Sequence, residues 1–341
     1  MKKFGQVFLA VSGALLLLWV LPWLYRLITL KSYSTPFTLY SCVLHDFASL
    51  DRGEGKEFRF IDTRGEVHGD DVQPMFYASI LASRGALPDT LEGRKVTLEE
   101  IERNALIATS DPRDVNRTMP PVHLLLESVP VRLELQDPED AMVSRKDRID
   151  IYAMEPNTLR EEKTALLNES LKAQGFVYPA RLFAGKPSHR KAYDEGYLVT
   201  DARDHLFHLK QVNDTVTVRR LPEADGIGVK WMMVTEFENH ATLGYLVSRD
   251  NRLHMLTPEG RLIPTEVSFT PEEEDLLVVG DLFYYTIKTS TSAGEHFFAL
   301  RSDDFSLVDT LARAYPHDRG LPGIRFTSPN DGWVKIRLQN P

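Results

Sequence analysis

Residues 196–200 read Gly-Tyr-Leu-Val-Thr, and residues 244–248 read Gly-Tyr-Leu-Val-Ser. A polar turn follows each copy, and a second apolar strand follows each turn, at residues 206–209 and 253–256. The two copies therefore have the same strand-turn-strand pattern. Two less similar strand pairs follow, residues 284–287 with 297–300 and residues 326–328 with 333–336.

A unit of short strands that recurs about every 40–50 residues is typical of β-propellers, whose blades bury their faces against one another. The repeat therefore predicts a mainly β protein with a β-propeller-like domain. An open β-meander or a sandwich is the alternative. An early copy near residues 38–67 would pair with the C-terminal strands and close the ring.

The rest of the chain is interpreted around this repeat as a mainly β fold with a helical insertion. Residues 1–31 are expected to form a transmembrane anchor, 32–70 the first β-hairpins, 71–190 a mixed, mostly helical insertion and 191–341 the repeated β-meander.

Local signals place helices and strands in the insertion. Thr97 with Glu100, and Thr158 with Glu161, have the spacing of a capping box and predict two helix starts. Gly175 follows the second helix as its expected end. Alternating apolar residues predict strands at 131–135 and 149–152.

An apolar segment near the N-terminus predicts a membrane anchor. Residues 7–25 carry no charge, and as a helix they span roughly 28 Å, close to the ~30 Å hydrocarbon core of a bilayer. We expect residues 7–30 to contact the lipid bilayer, with the N-terminus inside and the large domain outside. A cleaved signal peptide is the alternative, and Ser32 and Ser34 would then form a weak cleavage pair.

Composition excludes several classes of protein. The 341 residues suggest about two domains, and the formal net charge of −9 argues against binding to nucleic acid. A single cysteine, Cys42, allows neither an internal disulfide nor a cysteine metal cluster.

Catalytic motifs do not assemble along the chain. Ser188 and Lys191 have the Ser-x-x-Lys spacing of penicillin-binding enzymes, but Pro187 before them and Gly196 soon after leave little room for the required helix. His205 and His208 would point to opposite faces of a strand and could not share a metal ion. We predict no enzyme activity, no catalytic residue, no cofactor and no metal site.

A propeller mouth is the place where a polar ligand would bind. Asp201 and Asp250 recur at turns of the repeat, where turn formation is their main expected role. Trp231 and Trp333 could stack on a sugar or fill gaps between blades. These four residues are the candidate ligand-facing set.

Several strings make the chain resemble a bacterial family of membrane-anchored proteins called domain of unknown function DUF4857. They lie at 21–25, 36–41, 175–181, 191–197 and 206–210. The resemblance covers nearly the whole chain and carries no catalytic residues. It implies a one-span protein of the bacterial cytoplasmic membrane that works beside a transporter of the ATP-binding-cassette (ABC) class.

The sequence leads to two functional hypotheses. The first is a non-catalytic single-pass membrane protein whose extracytoplasmic domain docks a membrane-protein partner, such as a subunit of an ABC transporter. The second is a membrane-tethered domain that binds or hydrolyses an envelope glycan or peptide.

Overall fold

The structure is a computed structural model that describes residues 2–29, 35–51, 59–129, 134–291, 293–315, 323–325 and 337–339. It consists of an N-terminal helix followed by a mostly β domain built from several antiparallel sheets.

Helix α1 (Lys2–Thr29) contains a 19-residue window, Lys3–Leu21, that is long and apolar enough to cross a membrane. The rest of the described chain buries none of this window. By length and composition the helix fits a membrane anchor, and a signal sequence has the same character.

The first sheet is followed by short helices and strands. Sheet I consists of β1 (Thr38–Ser41), β2 (Asp46–Asp51), β3 (Arg59–Ile61) and β4 (Val67–His68). Two 3₁₀ turns (Asp70–Val72 and Met75–Tyr77) precede α2 (Ala78–Ser83), β5 (Thr90–Leu91), β6 (Arg94–Lys95), α3 (Leu98–Asn104), β7 (Leu106–Ser110) and α4 (Pro112–Asn116).

Two more four-stranded sheets follow. Sheet II consists of β8 (Val122–Leu125), β9 (Asp140–Ser144), β10 (Ile149–Ala153) and β11 (Thr158–Leu159), and α5 (Glu161–Ala173) comes next. Sheet III consists of β12 (Leu182–Gly185), β13 (Tyr197–Thr200), β14 (Leu206–Val212) and β15 (Thr215–Arg220).

The remaining strands complete the domain. Sheet IV follows a 3₁₀ turn (Pro222–Ala224) and consists of β16 (Trp231–Val234), β17 (Gly244–Val247), β18 (Arg252–Leu256) and β19 (Leu262–Ser268). Sheet V consists of β20 (Asp275–Gly280), β21 (Tyr284–Ser290), β22 (Gly294–Arg301) and β23 (Leu307–Ala314), with β7 paired to β20. A final hairpin pairs β24 (Gly323–Arg325) with β25 (Arg337–Gln339).

Neighbouring sheets share apolar cores. Met142 of sheet II and Phe207 of sheet III belong to one buried cluster, which also includes Leu171 of α5. Leu198 and Leu246 join sheets III and IV in a second cluster. Each sheet therefore buries a face against the next one, as the repeat predicts.

The same packing continues toward the start of the chain. Tyr245 of sheet IV and Tyr285 of sheet V lie in a third cluster. In a fourth cluster Phe47 of sheet I packs against Phe297 of sheet V, with ring centroids 6.0 Å apart. The sheets thus pack in the series II, III, IV, V, I, and closure of this series into a propeller ring stays a prediction.

The repeated strings occupy equivalent places in sheets III and IV. Gly196 directly precedes β13 and Gly244 begins β17, and residues 206–209 and 253–256 lie in the strands that follow, β14 and β18. A Cβ on Gly196 would lie 2.2 Å from the Leu209 carbonyl oxygen, and one on Gly244 would lie 2.5 Å from the Met233 carbonyl oxygen. Close backbone contacts therefore require glycine in both copies. Residues 326–328 and 333–336 lie outside the described residues.

Of the two predicted helix starts, the one at Thr97 is confirmed and the one at Thr158 is wrong. Thr97 caps α3 by accepting a hydrogen bond from the Glu100 amide. Thr158 instead lies in β11, because residues 158 and 159 pair with β10, and α5 begins only at Glu161.

The segment 71–190 is less helical than the sequence suggests. It contains α2–α5 but also the whole of sheet II. The strand predicted at 149–152 is confirmed as β10. Of the strand predicted at 131–135, Glu134 and Leu135 are not in a strand, and 131–133 lie outside the described residues.

Candidate functional site

The main cavity of the domain lies where three terminal strands meet. Strands β7, β12 and β16 each end their sheet and line a space of about 680 Å³. A terminal strand leaves alternate backbone N–H and C=O groups without a partner in its sheet. The cavity is therefore lined by hydrogen-bonding backbone edges as well as by side chains.

The cavity follows the length of β16. Its lining includes Lys230 before this strand and Glu236 after it, and six steps of extended chain between them span at most roughly 20 Å. Ile107 and Thr109 on β7 are exposed and line its wall. The lining thus combines apolar side chains with charged groups at the two ends of β16.

A buried charged cluster lies at the Glu236 end. The Lys191 ammonium donates to Glu236 Oε1 at 2.5 Å and to Asp194 Oδ1 at 2.6 Å. The side chains of Lys191 and Asp194 are each 4% exposed, and that of Glu236 is 2% exposed. One positive charge is therefore buried with two negative charges.

Loops from three sheets hold this cluster in place. Ser128, which follows sheet II, donates its hydroxyl to Asp194 Oδ2 at 2.5 Å. The Gly196 amide donates to the same oxygen at 3.0 Å, and the Glu195 amide donates to Glu236 Oε1 at 2.9 Å. Lys191, Asp194 and Glu236 are therefore fixed by the loop before β13.

One oxygen of the cluster is left without a partner. Glu236 Oε2 is buried and accepts no hydrogen bond. Burial raises the pKa of Glu236 above its usual range, although the hydrogen bonds from Glu195 and Lys191 act in the opposite direction. A buried carboxylate oxygen without a hydrogen-bond partner lowers the stability of the fold, so it marks a candidate binding site.

A second, acidic cavity adjoins this end of β16. Its volume is about 620 Å³, and it shares Ile107, Glu236 and Phe237 with the main cavity. Its charged lining residues are Glu99, Glu102, Arg103, Glu236 and Glu238.

The other end of β16 carries partly buried polar contacts. Lys230 donates to Asn251 Oδ1 and, at 3.1 Å, to Glu272 Oε2. Trp231 lines the cavity, and its ring meets Phe269 edge-on with centroids 5.6 Å apart. At this end the ammonium already has partners on sheet IV and on the loop before β20.

The structure places the candidate ligand-facing residues at different points. Trp231 lines the main cavity. Asp201 is fully buried, and its carboxylate accepts hydrogen bonds from the amides of Val177, Arg203 and His205. Asp201 therefore organises its own loop.

Of the remaining two candidates, Asp250 lines neither described cavity. Asp250 is exposed and accepts a hydrogen bond from the Ser248 hydroxyl, which lowers the pKa of Asp250. Trp333 lies outside the described residues. A ligand-facing role for these residues stays a prediction.

Other titratable groups hold the fold together. His205 Nδ1 lies 3.0 Å from Asp201 Oδ2, and His208 Nε2 lies 2.6 Å from the Glu195 carbonyl oxygen. The two histidines therefore have separate partners. One further group, Asp62, Glu66 and His68, brings three metal-ligating atoms together on the β3–β4 turn, and Asp62 bonds to His68 within it.

A known protein family matches most of the chain. The family model described as Domain of unknown function (DUF4857) matches residues 37–300, which include sheets I to IV and most of sheet V. The chain belongs to this family. No curated protein sequence matches it.

In this DUF4857 protein, sequence patterns missed the buried cluster. Lys191 and Glu236 are 45 positions apart and meet only because β12 and β16 pack side by side. Lys191 and Asp194 are three apart, but no catalytic spacing links them to Glu236. Only the fold brings these three charges together.

Proposed function

We propose that this protein is a non-catalytic docking subunit tethered to the bacterial cytoplasmic membrane by α1, with its β domain on the extracytoplasmic side. The observation that carries the proposal is the apolar window Lys3–Leu21, which the described chain leaves uncovered. An uncovered apolar helix of this length requires lipid or another protein around it.

An apolar sheet edge supports the docking part of the proposal. β8 is a terminal strand of sheet II, and three exposed apolar side chains lie on or near it. Their exposed fractions are 61% for Met119, 47% for Val122 and 51% for Val129. A terminal strand with exposed apolar residues favours contact with another protein.

We propose an integral membrane protein as the partner, and specifically the permease of an ABC transporter. This choice rests on the family resemblance. Anchoring by α1 keeps the domain beside the membrane, where such a permease would be reached without long-range diffusion.

The test is isolation of the tagged protein from its native membrane in mild detergent. We expect a stoichiometric membrane protein to co-purify, and we expect Val122→Ser to reduce its recovery. Val308→Ser, which changes an exposed valine on β23, is the matched control. Equal recovery with both variants would contradict a docking role for the β8 edge.

The N-terminus distinguishes an anchor from a cleaved signal peptide. Mass spectrometry of the mature protein should find residues 1–31 retained. A mature chain that begins near Ser32 or Ser34 would refute the anchor.

A second candidate function is binding of an envelope peptide or glycan in the main cavity. The unpartnered Glu236 Oε2 at the cavity lining favours it. Incubation of the purified protein with peptide and glycan fragments, followed by calorimetry and product analysis, tests both binding and hydrolysis. Absence of any binding would eliminate this candidate.

A further inference from the structure

The buried cluster at the end of β16 contains one ammonium group, that of Lys191, and two carboxylates, those of Asp194 and Glu236. All three hydrogens of the Lys191 ammonium are in use, because it donates to the Lys186 carbonyl oxygen, to Asp194 and to Glu236 Oε1. Lys191 therefore has no donor left for Glu236 Oε2. A cation from outside the cluster would supply the missing donor and the missing charge.

The nearby positive groups have other positions or partners. Arg103 of the adjoining cavity pairs with Glu99 at 2.9 Å, and Lys210 pairs with Glu195 at 3.1 Å. Lys186 is exposed, and only its carbonyl oxygen contacts the cluster. The lining of the adjoining cavity is richer in glutamate than in basic residues, and the main cavity is also lined by Lys186 and by Lys230, which pairs with Glu272.

The strand edges add a second kind of recognition. β7 runs antiparallel to β20, and β16 runs antiparallel to β17, so both are terminal strands with one edge left for pairing. An extended peptide can hydrogen-bond to such an edge. The cavity volume of about 680 Å³ lies within the roughly 300–1,000 Å³ of ligand pockets.

We propose that the main cavity binds an extended peptide through a primary ammonium group, which donates to Glu236 Oε2 while the peptide backbone pairs with the edge of β7 or β16. A small rotation about the soft terminal bond of Glu236 would turn this oxygen toward the cavity. The proposal deepens the second candidate function and rests on it. The ammonium could come from a lysine side chain or from a peptide N-terminus.

Calorimetry measures the binding of four short probes to the full chain in detergent at pH 7. The probes distinguish a lysine side chain from a peptide N-terminus as the source of the ammonium. Acetylated and amidated Ala-Lys-Ala carries a side-chain ammonium, and its norleucine counterpart carries none. Amidated Ala-Ala-Ala with a free N-terminus carries the other ammonium. Diglucosamine presents amines on a glycan.

We expect at least one amine-bearing peptide to bind about tenfold or more tightly than the norleucine peptide, as expected for a charge-assisted hydrogen bond. Glu236→Gln should abolish this preference, because the amide keeps the shape and the acceptor for Glu195 but loses the charge. Glu238→Gln is the matched control, since Glu238 is exposed and lines only the adjoining cavity.

The possible results lead to different conclusions. If neither the lysine peptide nor the peptide with the free N-terminus binds more tightly than the norleucine peptide, the ammonium site is overturned but the second candidate function is left standing. Absence of binding by every probe would refute both. Preference for diglucosamine over the peptides would overturn the peptide assignment.

The variants also have decisive outcomes. Loss of preference in Glu238→Gln would show that general surface charge, and not Glu236, selects the amine. If Glu236→Gln lacks a cooperative thermal transition, the comparison of both amine-bearing peptides with the norleucine peptide on the unmodified protein decides.

Discussion

At the scale of single residues, burial has different effects on carboxylates in this protein. Asp201 and Asp194 are buried and each accepts several hydrogen bonds, from its own loop and from a neighbouring segment. Asp281, after β20, is also buried, and its Oδ1 accepts from the amides of Phe283 and Tyr284. These two bonds do not offset the loss of water, and burial raises the pKa of Asp281 to about 6.

This shift predicts a pH-dependent loss of stability. Between the ordinary pKa of 3.8 and about 6, the folded protein holds a proton on Asp281 that the unfolded chain has released. The free energy of unfolding therefore falls as the pH rises through this window. We expect unmodified protein to lose about 2 kcal/mol more than Asp281→Asn between pH 4 and pH 7.

Urea unfolding at both pH values measures this difference. Asn keeps an Oδ1 acceptor for both amides, so the substitution removes the titration with little change in geometry. Asp303→Asn, at an exposed position, is the control and should retain the full pH dependence. Parallel pH curves for the unmodified protein and Asp281→Asn would refute the prediction.

At the scale of elements, a helix cap formed by residues close in sequence was predictable, whereas pairing between residues distant in sequence was not. The Thr97 cap depends on residues three positions apart, so the sequence alone identified it. Thr158 has the same spacing, but pairing of β11 with β10 holds it in a strand. The charged cluster is nonlocal in the same way, since Lys191 and Glu236 come from different sheets.

The two threonines give a matched test of helix capping. Thr97→Ala should lower the free energy of unfolding by about 1 kcal/mol, because the Glu100 amide loses its acceptor. Thr158→Ala should lack this capping loss, since Thr158 is exposed in β11. Chemical denaturation of both variants measures the difference. A larger loss for Thr158→Ala would restore it as the helix cap.

The repeated glycine provides a second test at this scale. Gly196 has φ +65°, and an added Cβ would lie 2.2 Å from the Leu209 carbonyl oxygen. Gly226 has φ +84° with no atom within 4 Å of an added Cβ. Both alanine variants bear the strain of positive φ, about 1–2 kcal/mol, and Gly196→Ala should cost a further 1–3 kcal/mol or so through the clash.

Thermal unfolding of the two alanine variants distinguishes the cost of the positive φ angle from the cost of the clash. A similar loss of stability in both would show that β13 shifts away from β14 without cost. The expected larger loss for Gly196→Ala would explain why glycine begins both copies of the repeat.

At the scale of the whole molecule, the repeat predicted successive sheets that pack on one another. Sheets III and IV follow the two clear copies, while sheet II lacks the repeated string and was missed. Among the three candidates that lie in the described residues, Trp231 alone lines the main cavity. The sequence thus predicted the kind of fold, and packing between sheets created the candidate site.

In the proposed function helix α1 holds the whole molecule at the membrane, and charges within the helix test this anchor. Lysines at Leu15 and Leu16, in the uncovered apolar window, should each cost about 2.5–3.5 kcal/mol at the centre of a bilayer. We expect Leu15→Lys with Leu16→Lys to release the protein from membranes washed with alkaline carbonate. Phe4→Lys with Gly5→Lys is the matched control, because lysines near a helix end reach the interface. Retention of both double variants would mean that contacts made by the β domain, and not α1, hold the protein at the membrane.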